Sequence, residues 1–293
     1  MERGFKEKLY CTYNCRNSSV IAPIIVGILL LLVSGFGINS FLDHQETKTE
    51  INYHLDKAEL FYNNSQFVEA IEEYKHIQEI SYNKFPYEYA MAQNNLGNAY
   101  LDLVKVRDKE VNAQNAINAY QEALKIYTVE KYPIDYATAQ HNLGNAYGNL
   151  AEIRDKEVNA QNAINACKEA LKTFTVEKNP FYYAMTQISI GNAYMDLAEV
   201  RDKEVNSQNA INALKEALKI LTVETYPFYY AMTQSNLGNV YMDLAKVRDK
   251  EVNSQNAINA YQEAQKIRTV EKYLIDYVTT QNNDRSIHMI IYK

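Results

Sequence analysis

The chain has 293 residues, three cysteines, 25 tyrosines, no tryptophan and a formal net charge of −6. That length allows one or two globular domains or one repeat array, and the acidic balance supplies no global field for a nucleic-acid backbone. Cys11 and Cys15 stand together near the start and Cys167 stands far from both, which excludes a disulfide framework and a zinc site of paired Cys-x-x-Cys motifs.

The first element is apolar. Residues 20–38, VIAPIIVGILLLLVSGFGI, run nineteen positions without a charge, enough for a helix to cross a hydrocarbon core of about 30 Å. A cleaved signal peptide has an apolar region of about 7–15 residues and a small-x-small site. The longer run here predicts an uncleaved transmembrane anchor. Pro23 falls in its first turn, where a missing N–H matters least. Arg3, Lys6, Lys8 and Arg16 precede the span, while Asp43, Glu46 and Glu50 follow it with only Lys48. The positive-inside rule then puts the tail 1–19 in the cytoplasm and the rest of the chain outside it. The expected product is a single-pass membrane protein with an extracytoplasmic repeat domain. Cys11 and Cys15 are read as reduced cytoplasmic thiols. Residues 39–50 read as a linker, and Asn63-Asn64-Ser65 is a sequon.

From Pro86 the chain repeats every 47 residues. Pro86, Pro133, Pro180 and Pro227 mark one phase, and Gly97, Gly144, Gly191 and Gly238 another. RDKEVN recurs at 107–112, 154–159, 201–206 and 248–253. A fixed period of 20–50 residues indicates a solenoid, whose units bury apolar faces only against their neighbours. Long units are expected at 86–132, 133–179, 180–226 and 227–273.

Each unit reads as two helices. The first starts at the proline, whose fixed φ suits the first helical position, and runs about twenty residues, to 153 in the second unit. Ala139, Leu143, Ala146, Tyr147 and Leu150 give it one apolar face. The second covers NAINAYQEALKI, 115–126, with Ala116, Ile117, Tyr120, Ala123 and Leu124 on its apolar side. Asn112, Asn159, Asn206 and Asn253 are its expected N-caps. A glycine inside the first helix costs about 1 kcal/mol against alanine. Its recurrence predicts a close approach of the paired helix.

Leu-Gly-x-x-Tyr (Leu143, Gly144, Tyr147) with Ala-Ile-x-x-Tyr-x-x-Ala-Leu (Ala116 to Leu124) resembles the tetratricopeptide repeat. The start P-x-x-Y-A-x-x-Q-x-N-L-G-N-x-Y is similar to the long-helix subtype of kinesin light chains. Gln93, Gln140, Gln187 and Gln234 stand where the family has tryptophan. Residues 54–79 resemble one short unit, occupying about 54–85, with Phe61, Phe67, Ala70, Ile71 and Tyr74 in the packing places. The array therefore spans about 51–281. The resemblance implies an all-α, right-handed superhelical solenoid of helix-turn-helix repeats, here preceded by one transmembrane helix.

The pattern breaks near the end. A partial fifth unit from 274 has Leu274 in place of proline and fails at Asp284 and Arg285, and 282–293 is a degenerate tail. Gln265 replaces the leucine of Leu124, Leu171 and Leu218. Three readings stay open: a partly disordered last helix, pairing with another chain, or a shortened gene product.

No motif for chemistry is present. HExxH, GxxxxGK and GxGxxG are absent, and RDKEVN mixes two basic with two acidic residues, as a solvated elbow does. His141, with siblings Asn94, Ile188 and Ser235, reads as a surface histidine. We expect no enzyme activity, no cofactor and no metal site.

Binding residues are sought on the first helices, which line the concave side of such arrays. Asn98, Asn145, Asn192 and Asn239 recur once per unit, and three residues earlier come Asn95, Asn142, Ser189 and Asn236. Residues at i and i+3 share a helix face, so stacking would align these amides. An amide both donates and accepts, and can bond a peptide backbone without reading side chains. The resemblance implies such peptide binding. Bonding between neighbouring helices, to set their register, is the alternative. Met91, Met185, Met232, Met195 and Met242 lie around them. The lysines by which clamp-type members of the family hold acidic C-termini are missing. The expected function is a membrane-anchored scaffold for a protein or extended peptide. Self-assembly through the uncapped end is a second reading, and a non-catalytic subunit of a membrane enzyme or secretion complex a third. Nucleic acid is not an expected partner.

Overall fold

The computed structural model describes residues 37–267. The expected membrane segment 20–38 falls outside these residues except for Gly37 and Ile38, and so do the partial fifth unit and the tail. No helix among the described residues is long and apolar enough to cross a membrane.

The chain divides into two units, residues 1–56 and 57–293. In the first, residues 39–50, read from the sequence as a linker, are helical. They belong to α1 (Gly37–Asn63). Thr47 and Thr49 bond back to the carbonyls of Asp43 and Gln45 at 2.8 and 2.9 Å, so their hydroxyls are satisfied inside the helix.

The second unit is an array of antiparallel helix pairs. The end of α1 is followed by α2 (Phe67–Ser81), with Lys57 and Glu73 paired across the turn at 2.7 Å. Ala70, Ile71, Tyr74 and Ile77 are buried on α2, as a short repeat requires. Four long pairs follow: α3 (Pro86–Val104) with α4 (Lys109–Leu124), α5 (Pro133–Ala151) with α6 (Lys156–Ala170), α7 (Pro180–Val200) with α8 (Lys203–Leu218), and α9 (Pro227–Ala245) with α10 (Lys250–Ile267). No strand occurs among the described residues.

Each first helix starts at its proline, after a residue with non-helical backbone such as Phe85 or Tyr132. Ala139, Leu143, Ala146 and Leu150 of α5 are buried, as are Ala116, Ile117, Tyr120 and Ala123 of α4. Tyr147 and Leu124 are half-buried. The recurring glycine marks a close approach. A Cβ on Gly97 would lie 2.5 Å from the Tyr120 ring, and one on Gly144 would overlap the Cys167 sulfur and stand 3.2 Å from the Ala163 carbonyl oxygen.

The elbow corrects one expectation. Asn112, Asn159, Asn206 and Asn253 do not cap the second helix. Each helix begins earlier, at the lysine of RDKEVN, and the preceding Asp108, Asp155, Asp202 or Asp249 takes a left-handed conformation with φ of 44–47°. Aspartate is among the few non-glycine residues that visit that region readily. The asparagine is buried in the first turn and donates its amide N–H backwards. Asn112 bonds the Arg107 carbonyl at 2.8 Å, and Asn159, Asn206 and Asn253 bond Arg154, Arg201 and Arg248 at 2.8–2.9 Å. The amide thus closes the elbow from inside, satisfying the carbonyl that the left-handed turn leaves free.

Consecutive first helices touch one another: α3 with α5, α5 with α7, α7 with α9. Consecutive second helices do not. The first helices are therefore the inner layer of the pairs, and their faces are where recurring side chains from different repeats meet.

Candidate peptide-binding face

Stacking brings the expected asparagines together, and it makes them bond one another. Asn142 of α5 donates to Asn98 Oδ1 of α3 at 3.0 Å. Ser189 of α7 donates to Asn145 Oδ1 of α5 at 2.7 Å. Asn236 of α9 donates to Asn192 Oδ1 of α7 at 3.0 Å. At all three junctions the earlier residue of one repeat reaches the later asparagine of the repeat before it. Each bond fixes the axial register of two neighbouring helices.

The later asparagines are tied further, and not all alike. The Tyr120 hydroxyl donates to Asn98 Oδ1 at 2.7 Å, and the Tyr261 hydroxyl to Asn239 Oδ1 at 2.5 Å. Both tyrosines are fully buried, and burial pushes the Tyr120 phenol well up. Cys167 and Leu214 hold the corresponding places in the two middle repeats, where no hydroxyl is available. The Cys167 thiol is free and buried, and burial pushes it up to about 12. That is the state of a packing thiol, not of a nucleophile.

Asn145 finds its second partner in His141, which is partly buried rather than exposed. The Thr186 hydroxyl donates to the Tyr182 carbonyl at 2.7 Å and lies 3.0 Å from His141 Nδ1. Nδ1 therefore carries the proton, and Nε2 accepts from the Asn145 amide at 3.1 Å. Burial lowers His141 to about 4, so the ring is neutral at pH 7. Its sequence siblings suggested exposure because they are unlike it. The bonding it makes comes from Thr186, 45 residues away.

With these bonds made, some polar groups on this face still have no partner among the described residues. They are the NH2 groups of Asn98 and Asn192 and the carbonyl oxygens of Asn142 and Asn236. None is a sealed, unsatisfied atom. Along the inner layer they form a row of alternating donors and acceptors. Asn145 is the exception, since both ends of its amide are used. Among the described residues Asn95 makes only a long contact with Asn94, at 3.5 Å.

No protein-family model and no curated protein matches the chain. Among solved structures, the crystal structure of MamA protein matches with a TM-score of 0.50 at 19% identity, over 76% of this chain and 93% of that one. A second crystal structure of MamA gives 0.47 at 18%, over 72% and 93%. That of BtubC (BKLC) from P. vanneervenii gives 0.47 at 17%, over 77% and 89%. The first match extends to the fold: an all-α array of paired helices, which fits the tetratricopeptide type of architecture.

Proposed function

We propose that this chain is a protein-interaction scaffold of the long-helix, kinesin light chain-like type, which binds an extended peptide along the inner layer of its first helices. The row of open amide groups at Asn98, Asn142, Asn192 and Asn236 carries this reading. An extended backbone offers one donor and one acceptor per residue, and the row offers both without charge. The bonds between repeats hold those groups in place before a ligand arrives, which lowers the entropic cost of binding. The chain is not an enzyme in this reading. Residues 20–38 anchor it in a membrane, with the array on the extracytoplasmic side.

A second reading, self-assembly through the last repeat, is favoured by one observation. Gln265 stands where the other repeats have leucine, and its buried Nε2 has no partner among the described residues. The test is a pull-down from solubilised membranes with the full chain and with the double variant Asn142→Ala, Asn192→Ala. Circular dichroism checks that both are helical. Loss of bound proteins from the folded variant is the expected result. Capture of the same set by both, or of nothing but the chain itself, would move the assignment to self-assembly.

A further inference from the structure

In a chain of near-identical repeats, the informative positions are those where the copies disagree, and several disagreements meet at one place. Leu101, Met195 and Met242 pack their side chains against the core in three repeats. The second repeat has Gly148 there, and a Cβ on it would meet nothing within 4 Å. The missing side chain leaves a hollow of about 190 Å³ between α5 and α7, lined by Asn145, Asn149, Glu152, Ser189, Asn192 and Asp196. Pockets for drug-sized ligands run from about 300 Å³ upwards. This one has room for a single long side chain.

Charge changes at the same spot. In the first repeat Asp102 pairs with Lys105 at 2.7 Å and accepts the Tyr62 hydroxyl at 2.5 Å. In the fourth, Asp243 pairs with Lys246 at 2.5 Å. The middle repeats have Glu152 and Glu199 where those lysines stand. Asp196 therefore loses its counter-ion and, among the described residues, accepts no hydrogen bond. Among the described residues Lys156 is the cation that acts on it, and it is already paired with Glu199. Burial, with Glu199 and Glu152 adding to it against Lys156, raises half-buried Asp196 to about 6. A carboxylate in that state gains from any cation that reaches it.

We propose that the hollow at Gly148 receives one lysine or arginine side chain of the bound peptide, pairing its cationic end with Asp196 and Glu152. This rests on the peptide-binding reading and adds a specificity pocket to it. The neutral amide row holds the backbone, and the hollow selects a basic residue at one position. Asn149 supplies a further acceptor, because its amide N–H is spent on the Asn145 carbonyl at 2.8 Å and its Oδ1 remains. A long aliphatic stem passing the bare backbone of Gly148 would reach both carboxylates, as such side chains do elsewhere with apolar stems and wet heads.

The test uses the full chain in detergent and fluorescent heptapeptide pools that are random except for one fixed central residue: Lys, Arg, Gln or Glu. The Lys and Arg pools should bind about tenfold tighter than the Gln pool, the scale of a partly desolvated charge pair. Gly148→Leu restores the residue of the first repeat and should abolish that preference. Its thermal midpoint should equal or exceed wild type, which separates a filled pocket from a damaged fold. Glu152→Lys with Glu199→Lys should turn the preference toward the Glu pool. Equal binding of all pools would overturn the pocket while leaving the peptide reading standing. A Lys preference that survives in Gly148→Leu would overturn it too, as mere attraction to net charge. Binding of no pool would overturn both.

Discussion

The first and last long repeats close their helix pairs with a tyrosine, Tyr120 or Tyr261, whose hydroxyl serves the asparagine of its own repeat. The two middle repeats place Cys167 and Leu214 there, and their asparagines have no such hydroxyl: Asn145 bonds His141 of its own repeat and Ser189 of the next, and Asn192 bonds Asn236 of the next. The same division holds at the end of the first helix. Asp102 and Asp243 are neutralised by a lysine one turn on, whereas Asp196 faces two glutamates and Asn149 carries no charge. One backbone thus carries two kinds of repeat. The flanking ones spend a tyrosine hydroxyl on the asparagine and a lysine on the aspartate, and the middle ones supply neither. A repeated scaffold needs only a few substitutions to become specific, because stacking collects them at one junction.

The largest expected effect comes from the fully buried tyrosines. Tyr120→Ala should cost about 3–5 kcal/mol, whereas Cys167→Ala, at the same place in the next repeat, should cost about 1 kcal/mol, since little volume is lost. Equal losses in chemical denaturation would erase the distinction between the two kinds of repeat.

Two glycines should respond with opposite sign to one substitution. Gly97→Ala drives a Cβ into the Tyr120 ring and should destabilise by about 1–3 kcal/mol. Gly148→Ala meets open space and should stabilise by about 1 kcal/mol through helix propensity. Thermal midpoints of the two variants against wild type decide this.

The middle repeats should also carry most of the pH dependence. His141 is lowered from 6.5 to about 4, so between those values the unfolded chain binds more protons than the folded one. Its contribution is fully present above pH 6.5 and is lost as pH falls to 4, on the order of 3 kcal/mol. His141→Asn, the residue of the first repeat, should flatten stability in that window. Asp196 has the reverse sign. Raised from 3.8 to about 6, it penalises the folded state more as pH rises through that range. Asp196→Asn should therefore stabilise by about 1 kcal/mol at pH 7 and change nothing below pH 3.8. Urea midpoints measured across pH 3.5–7.5 would show either slope missing.

The smallest effect belongs to the elbows, where Arg154, Arg201 and Arg248 each pair with a glutamate of the preceding repeat. Arg201 pairs with Glu157 of the preceding repeat at 2.8 Å, and both are exposed. Arg201→Ala should shift stability by no more than about 0.5 kcal/mol, and added salt should remove the difference. A larger, salt-resistant loss would mean that the elbows help set the register between repeats.

Much of this was legible along the chain because it is local. The prolines give the helix starts, the 3–4-residue spacing of Leu143, Ala146 and Leu150 gives the buried face, and Gly97 announces a close neighbour. The elbow was misread at Asn112, since Asn is a good cap and nothing in RDKEVN says that Asp108 turns left-handed and lets the helix begin sooner. His141 was misread for a different reason: its partner Thr186 lies 45 residues on. The asparagine row was legible as a row, but its bonding was not.

The sequence by itself determined the period, the helix pairs and which face each helix buries, because those follow from backbone geometry and from hydrophobic spacing within one repeat. Only the tertiary structure decided what the recurring polar residues do. Hydrogen bonds and charge pairs act over about 3–4 Å, and those distances are set by how residues 44 or 45 positions apart are stacked, as Asn98 and Asn142 or His141 and Thr186 are. The empty place at Gly148 is of the same kind. A missing side chain becomes a pocket only when a neighbouring helix stands opposite it.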